Sequence, residues 1–200
     1  MKIIIPLMLT FFGCLQNCYA QRKTSRVPKG AVYVASSPGN SISKSLGGAQ
    51  AVYVAGPPEK ITVDIDHLQL TGDLDNGIIV LTGFNVSGKK VTAPQFVIFE
   101  FVSYFSRARY NSIRHLTILV DGESKLSKVL PLTVSSKQGE KIGPFTEVMN
   151  TSIPYSTFLA IAKGRTVTFR LGTLDLPLTD TQLHLIRDMQ SLIDAGMTFP

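Results

Sequence analysis

The sequence predicts an all-β protein: an antiparallel β-sandwich, or a flattened barrel, of about eight strands. A short helix and a C-terminal amphipathic helix are expected to pack on it. Three observations lead there. From Glu59 onward, short β-prone runs recur at close spacing, bounded by turn signals such as Asn76-Gly77 and Asp121-Gly122. Several of these runs alternate apolar and polar residues, the period of a half-buried strand. The one long pattern of helical period stands at the C-terminal end.

The chain opens with "MKIIIPLMLTFFGCLQNCYA". Lys2, the apolar run Ile3 to Phe12, and the small side chains of Cys18 and Ala20 before Gln21 form the pattern of a cleaved secretory signal peptide, residues 1–20. The run is too short to span a bilayer, so no transmembrane segment is expected after cleavage. Secretion or a periplasmic location follows. "FFGC" also offers Cys14 as a lipoprotein cysteine, but Phe11 and Phe12 fit a lipobox poorly. Both cysteines of the chain lie in this leader, so the mature protein is expected to carry no disulfide, thiolate nucleophile or Cys-ligated zinc.

Residues 21–50 read as a basic arm rich in Ser, Gly and Pro, with too little apolar surface to offset chain entropy. The formal net charge is +6, and its distribution matters more than its size. Residues 21–58 contain Arg22, Lys23, Arg26, Lys29 and Lys44 and no acid, whereas residues 59–200 hold 14 basic and 14 acidic side chains. A neutral body argues against nucleic acid as a partner. The arm suits an anionic envelope surface, at about 1 kcal/mol per charge; alternatively it only solubilises the domain.

The arm and the domain share a word: "AVYVASSP" at 31–38 and "AVYVAGPP" at 51–58. Alternation puts Val32 and Val34 on one side of a strand and Tyr33 on the other, and Val52, Val54 and Tyr53 repeat this. Pro38 and Pro58 end each run, as at edge strands. Residues 51–55 are expected to be the first ordered strand of a domain spanning 51–200. The first copy either folds back as a hairpin on the second across a Ser/Gly-rich loop, or adds to another molecule's sheet, giving self-association.

Within the domain, "KITVDI", "NGIIVLTGFNV", "PQFVIFEFVSYF", "IRHLTILVDG", "KVLPLTV", "TEVMNTSI", "TVTFRLG" and "TLDLPL" are the strand candidates. "PYSTFLAIAKG" has Pro154 at its start and Gly164 at its end, the polarity of a short helix. "LTDTQLHLIRDMQSLIDAG" is the clearest element. Thr179 and Gln182 form a capping-box pair, Gly196 gives a C-terminal stop, and Leu185, Ile186, Met189, Leu192 and Ile193 form an apolar stripe.

Catalytic motifs almost appear. "GFNVSGKK" at 83–90 lacks the P-loop's final hydroxyl and opens no helix, so a hairpin turn accounts for it and no cofactor is expected. "GDLDNG" offers Asp73, Asp75 and Asn76 as oxygen ligands for calcium, too few locally for a full shell; a hairpin turn explains the same residues. Asp64, Asp66 and His67 are the candidate catalytic group of an extracytoplasmic hydrolase. Strict alternation separates His67 from the two carboxylates unless a bulge after Asp66 re-aims it. Arg107, Arg109, Tyr110 and Arg114 carry the side-chain types of recognition surfaces, against a solvated hairpin tip with Glu100 paired to one arginine. Asn85 and Asn150 head N-glycosylation triplets, relevant only in a eukaryotic host.

The function expected is therefore binding of a protein or an anionic envelope component. Val32, Tyr33, Val34 and the arginine group are its candidate contacts. The alternatives are the hydrolase, or a small-ligand or lipid carrier lined by the phenylalanines of 96–105.

Overall fold

The computed structural model describes residues 32–37, 41–55, 58–65, 67–71, 77–105, 114–136 and 145–200. The expected leader with Cys14, the arm before residue 32, Asp66, Asp73, Asp75, Asn76, Arg107, Arg109 and Tyr110 lie outside them. Two antiparallel sheets pack as a sandwich and do not close into a barrel.

The strands are β1 (Val32–Ser37), β2 (Ser41–Leu46), β3 (Ala49–Val54), β4 (Lys60–Ile65), β5 (Leu68–Thr71), β6 (Ile78–Ser87), β7 (Phe96–Phe105), β8 (His115–Val120), β9 (Glu123–Val129), β10 (Leu132–Ser136), β11 (Phe145–Pro154), β12 (Val167–Leu171) and β13 (Leu174–Pro177). Two helices, α1 (Tyr155–Lys163) and α2 (Asp180–Asp194), complete the order. The nine-stranded sheet runs β1-β2-β3-β4-β6-β7-β11-β10, with β5 also paired to β6; the four-stranded sheet runs β13-β12-β8-β9.

The strand count exceeds the expected eight for local reasons. "KVLPLTV" is two strands, because Pro131 cannot donate to a ladder and Leu130 is buried at the corner where the chain leaves the small sheet for the large one. β9 is polar and mostly exposed, so its sequence carries no core-facing pattern. β4 and β5 both lie along β6, and one extra residue separates their registers: Asp64 pairs with Gly83, but Leu68 pairs with Val80.

The core-facing side of the large sheet is covered in two parts. Over β7 lies the small sheet, and the rings of Phe99 and Phe101 meet Phe169 edge-on, with centroids 5.8 and 5.7 Å apart. Over β2, β3 and β4 lies α2, which buries Leu183, Ile186, Met189, Leu192 and Ile193. This differs from the expected stripe by one residue, because Leu185 sits half-buried at the margin against the β2–β3 turn. The capping box forms both bonds, Gln182 N–H to Thr179 Oγ1 at 3.3 Å and Thr179 N–H to Gln182 Oε1 at 2.7 Å. At the other end Gly196 takes φ +56°. α1 has its C-terminal carbonyls held by α2: Arg187 donates to Ala162 O at 3.0 Å and to Gly164 O at 2.8 Å.

Candidate functional site

The N-terminal end of the large sheet differs from the sequence expectation. Residues 41–50 are not part of a loose arm, and β3 is not the first strand. The segment between the two copies of the repeated word, "SISKSL", is itself β2, and it pairs antiparallel with β1 on one side and β3 on the other. The copies therefore do not form a hairpin together; they flank a third strand. The composition of this segment hides its pattern. Ile42, Lys44 and Leu46 share one face and serines the other, and Gly47-Gly48 makes the two-residue turn into β3. Gly47 has φ +58°, and a Cβ on Gly48 would stand 2.1 Å from Leu185 Cδ2. The Gly48 N–H donates to Asp188 Oδ2 at 2.8 Å, which fastens this turn to α2.

The two copies also face opposite ways. Position 33 lies opposite Ser45, and Tyr53 lies opposite Ile42, three residues away along β2. Since alternate residues of β2 point to opposite faces, Tyr53 enters the core side while position 33 belongs to the outer side. Tyr53 is buried, stacks on Phe199 at 5.5 Å, and donates its hydroxyl to Glu59 Oε1 at 3.1 Å. Burial, with the Glu59 hydrogen bond and charge, pushes its phenol above the ordinary value. Lys44 completes the cluster: its ammonium lies 5.0 Å from the Phe199 ring centroid and donates to Thr198 O at 2.5 Å. The C-terminal residues bind back along Lys89–Val91 through Val91 N–H to Met197 O and Phe199 N–H to Lys89 O.

At the end of this arrangement stands β1. Among the described residues it pairs with β2 alone and forms the edge of the nine-stranded sheet, so Val32, Tyr33 and Val34 occupy an edge strand. Its six residues, "VYVASS", contain no charge and no proline. Such a strand presents a row of backbone donors and acceptors to whatever lies alongside.

The carboxylate–histidine candidates lie elsewhere. Asp64 is on the outer face of β4, half-buried, opposite Gly83. His67 is half-buried in the irregular step between β4 and β5. One extra residue between Asp64 and Leu68 returns Leu68 to the core, fully buried. Of the arginine group, Arg114 is described; it is half-buried immediately before β8, and its carbonyl accepts from Leu130 N–H at 2.8 Å. Glu100 sits on the outer face of the large sheet between Leu81 and Asn150, where burial pushes its carboxyl above the ordinary range.

Among the described residues no three His, Cys, Asp or Glu side chains come together as a metal group, and no helix is long and apolar enough to cross a membrane. Among the described residues the buried polar side chains are Thr82, Ser103, Glu147 and Thr151, with Ser103 donating to Glu147 Oε2 at 3.3 Å. The chain matches no protein-family model, no curated protein and no solved structure.

Proposed function

We propose that this is an exported protein that acts by binding, and that the open edge at β1 is where a protein segment or an anionic envelope component is engaged. The observation that carries this reading is an uncharged, proline-free edge strand at the end of a nine-stranded sheet. Charge supports it: Arg22, Lys23, Arg26 and Lys29 precede β1 in the chain, while residues 59–200 carry no net charge. The phenylalanines of β7 argue against a carrier, since Phe99 and Phe101 are fully buried against Phe169 and Phe96 is exposed.

The test compares the full chain with one lacking residues 21–37. Both are passed over immobilised envelope extract and over phosphatidylglycerol vesicles. The full chain is retained and the shortened one is not, although its melting temperature changes little. A second reading, a hydrolase around Asp64, Asp66 and His67, is favoured by the extra residue between Asp64 and Leu68, which shifts the register around His67. Turnover of ester, glycoside or peptide substrates that disappears in Asp64→Asn or His67→Ala would establish it and displace the binding reading.

A further inference from the structure

We infer that the occupant of the β1 edge is a second copy of this chain, paired antiparallel through β1 about a two-fold axis at Val34, so that the two large sheets become one. This rests on the reading of β1 as the binding edge. The other edges of the sandwich carry features that oppose such pairing. β9 bears Glu123, Lys125 and Lys128; β13 is four residues long, with Asp175 and a terminal Pro177; β10 is five residues long and begins directly after Pro131. Charge, shortness and proline are the usual means of blocking edge-to-edge association. β1, six residues long, carries no charge and no proline within it; β10 is also uncharged but one residue shorter, and a proline adjoins each of them, Pro38 after β1 and Pro131 before β10.

Register limits the arrangement. A two-fold axis normal to the sheet keeps the core side of each copy on the same side of the joined sheet, so residues opposite one another must share a face. About Val34 this places Val32 opposite Ser36, Tyr33 opposite Ala35, and Val34 opposite its own copy. Each larger residue then meets a smaller one, with valine at the axis, and no charge faces a like charge. The fold already shows this word accepted antiparallel by a neighbour on either face, since β2 pairs with one copy in each facing.

The experiment uses the full chain with Cys14→Ser and Cys18→Ser, so that one introduced cysteine is the only thiol. With Val34→Cys, mild oxidation gives a covalent dimer, because facing Cβ atoms across such a pair stand about 5 Å apart. Ser36→Cys does not, because its copy lies several residues away along the strand. Val34→Pro, and separately Val34→Lys, convert a dimer seen by sedimentation velocity to a monomer that keeps the parent's far-UV circular dichroism. A monomeric parent chain, equal cross-linking at positions 34 and 36, or a dimer that survives both Val34 variants overturns the inference. If the parent is monomeric but envelope retention still needs residues 21–37, self-pairing fails while the binding reading stands. If retention is also indifferent to that segment, both fail.

Discussion

A few side chains fasten distant segments of the chain, and each can be tested alone. Gly48 meets α2 so closely that Gly48→Ala drives a methyl into Leu185. The atom met is the end of a half-buried leucine side chain that can shift, so we expect a loss at the low end of overpacking costs, about 1 kcal/mol by denaturant unfolding. Asp121 stands in the β8–β9 turn at φ +51°, and its Oδ1 accepts from Arg165 N–H at 3.0 Å, Thr166 N–H at 2.9 Å and the Thr166 hydroxyl at 3.2 Å. The Thr166 N–H bond first, then those from Arg165 N–H and the Thr166 hydroxyl, hold this carboxyl below its ordinary value. A lowered carboxylate contributes stability that is present above its unfolded value of about 3.9 and is lost as pH falls through the folded value. Asp121→Asn tolerates the left-handed backbone but cannot titrate. Melting temperature plotted against pH should therefore fall less steeply on the acid side in this variant than in the parent; equal slopes would remove Asp121 from the acid response.

At the scale of elements, α2 was the most legible part of the sequence. Its capping box, Gly stop and apolar stripe depend on residues within a few positions of one another, so local pattern suffices. Thr179→Ala should cost about 1 kcal/mol by removing a formed cap. The strands of residues 78–87 and 96–105 were legible for a similar reason, since their apolar runs are long and their turns marked. β1 and β2 were not. "SISKSL" shows alternation only once its neighbours are known, because serines line one face and a lysine interrupts the other. Gly47-Gly48 was the available signal, a two-residue turn between alternating runs. The C-terminal segment was illegible too: nothing local to Phe199 announces that it stacks on Tyr53 beneath Lys44. Phe199→Ala should cost about 3 kcal/mol, since a buried ring is removed. A much smaller loss in chemical denaturation would mean the C-terminal segment contributes little to holding the sheet.

At the scale of the whole molecule, the sandwich class followed from strand spacing, but the size of the larger sheet and its edges did not. Which strand lies at an edge is decided by pairings across the whole chain, and the same word serves in one place as an interior strand and in the other as the boundary. That topology also changes where the chain can be cut. β2 is interior and Lys44 binds Thr198 O, so a deletion extending to residue 45 should disrupt the sheet, whereas one ending at Ser37 should leave the domain folded. The candidate site was legible in part: the repeated word drew notice to Val32, Tyr33 and Val34, but their position at the edge of the described sheet required the fold.

The claim that this edge is a binding surface is tested most directly by titrating a fluorescent peptide of residues 31–38 onto the protein and following its anisotropy. The peptide carries the edge sequence itself, so it can occupy the place of an incoming strand. The account predicts saturable binding to the parent chain and none to Val34→Pro, with both proteins melting at the same temperature. Absence of binding, or equal binding to the two proteins, would contradict it.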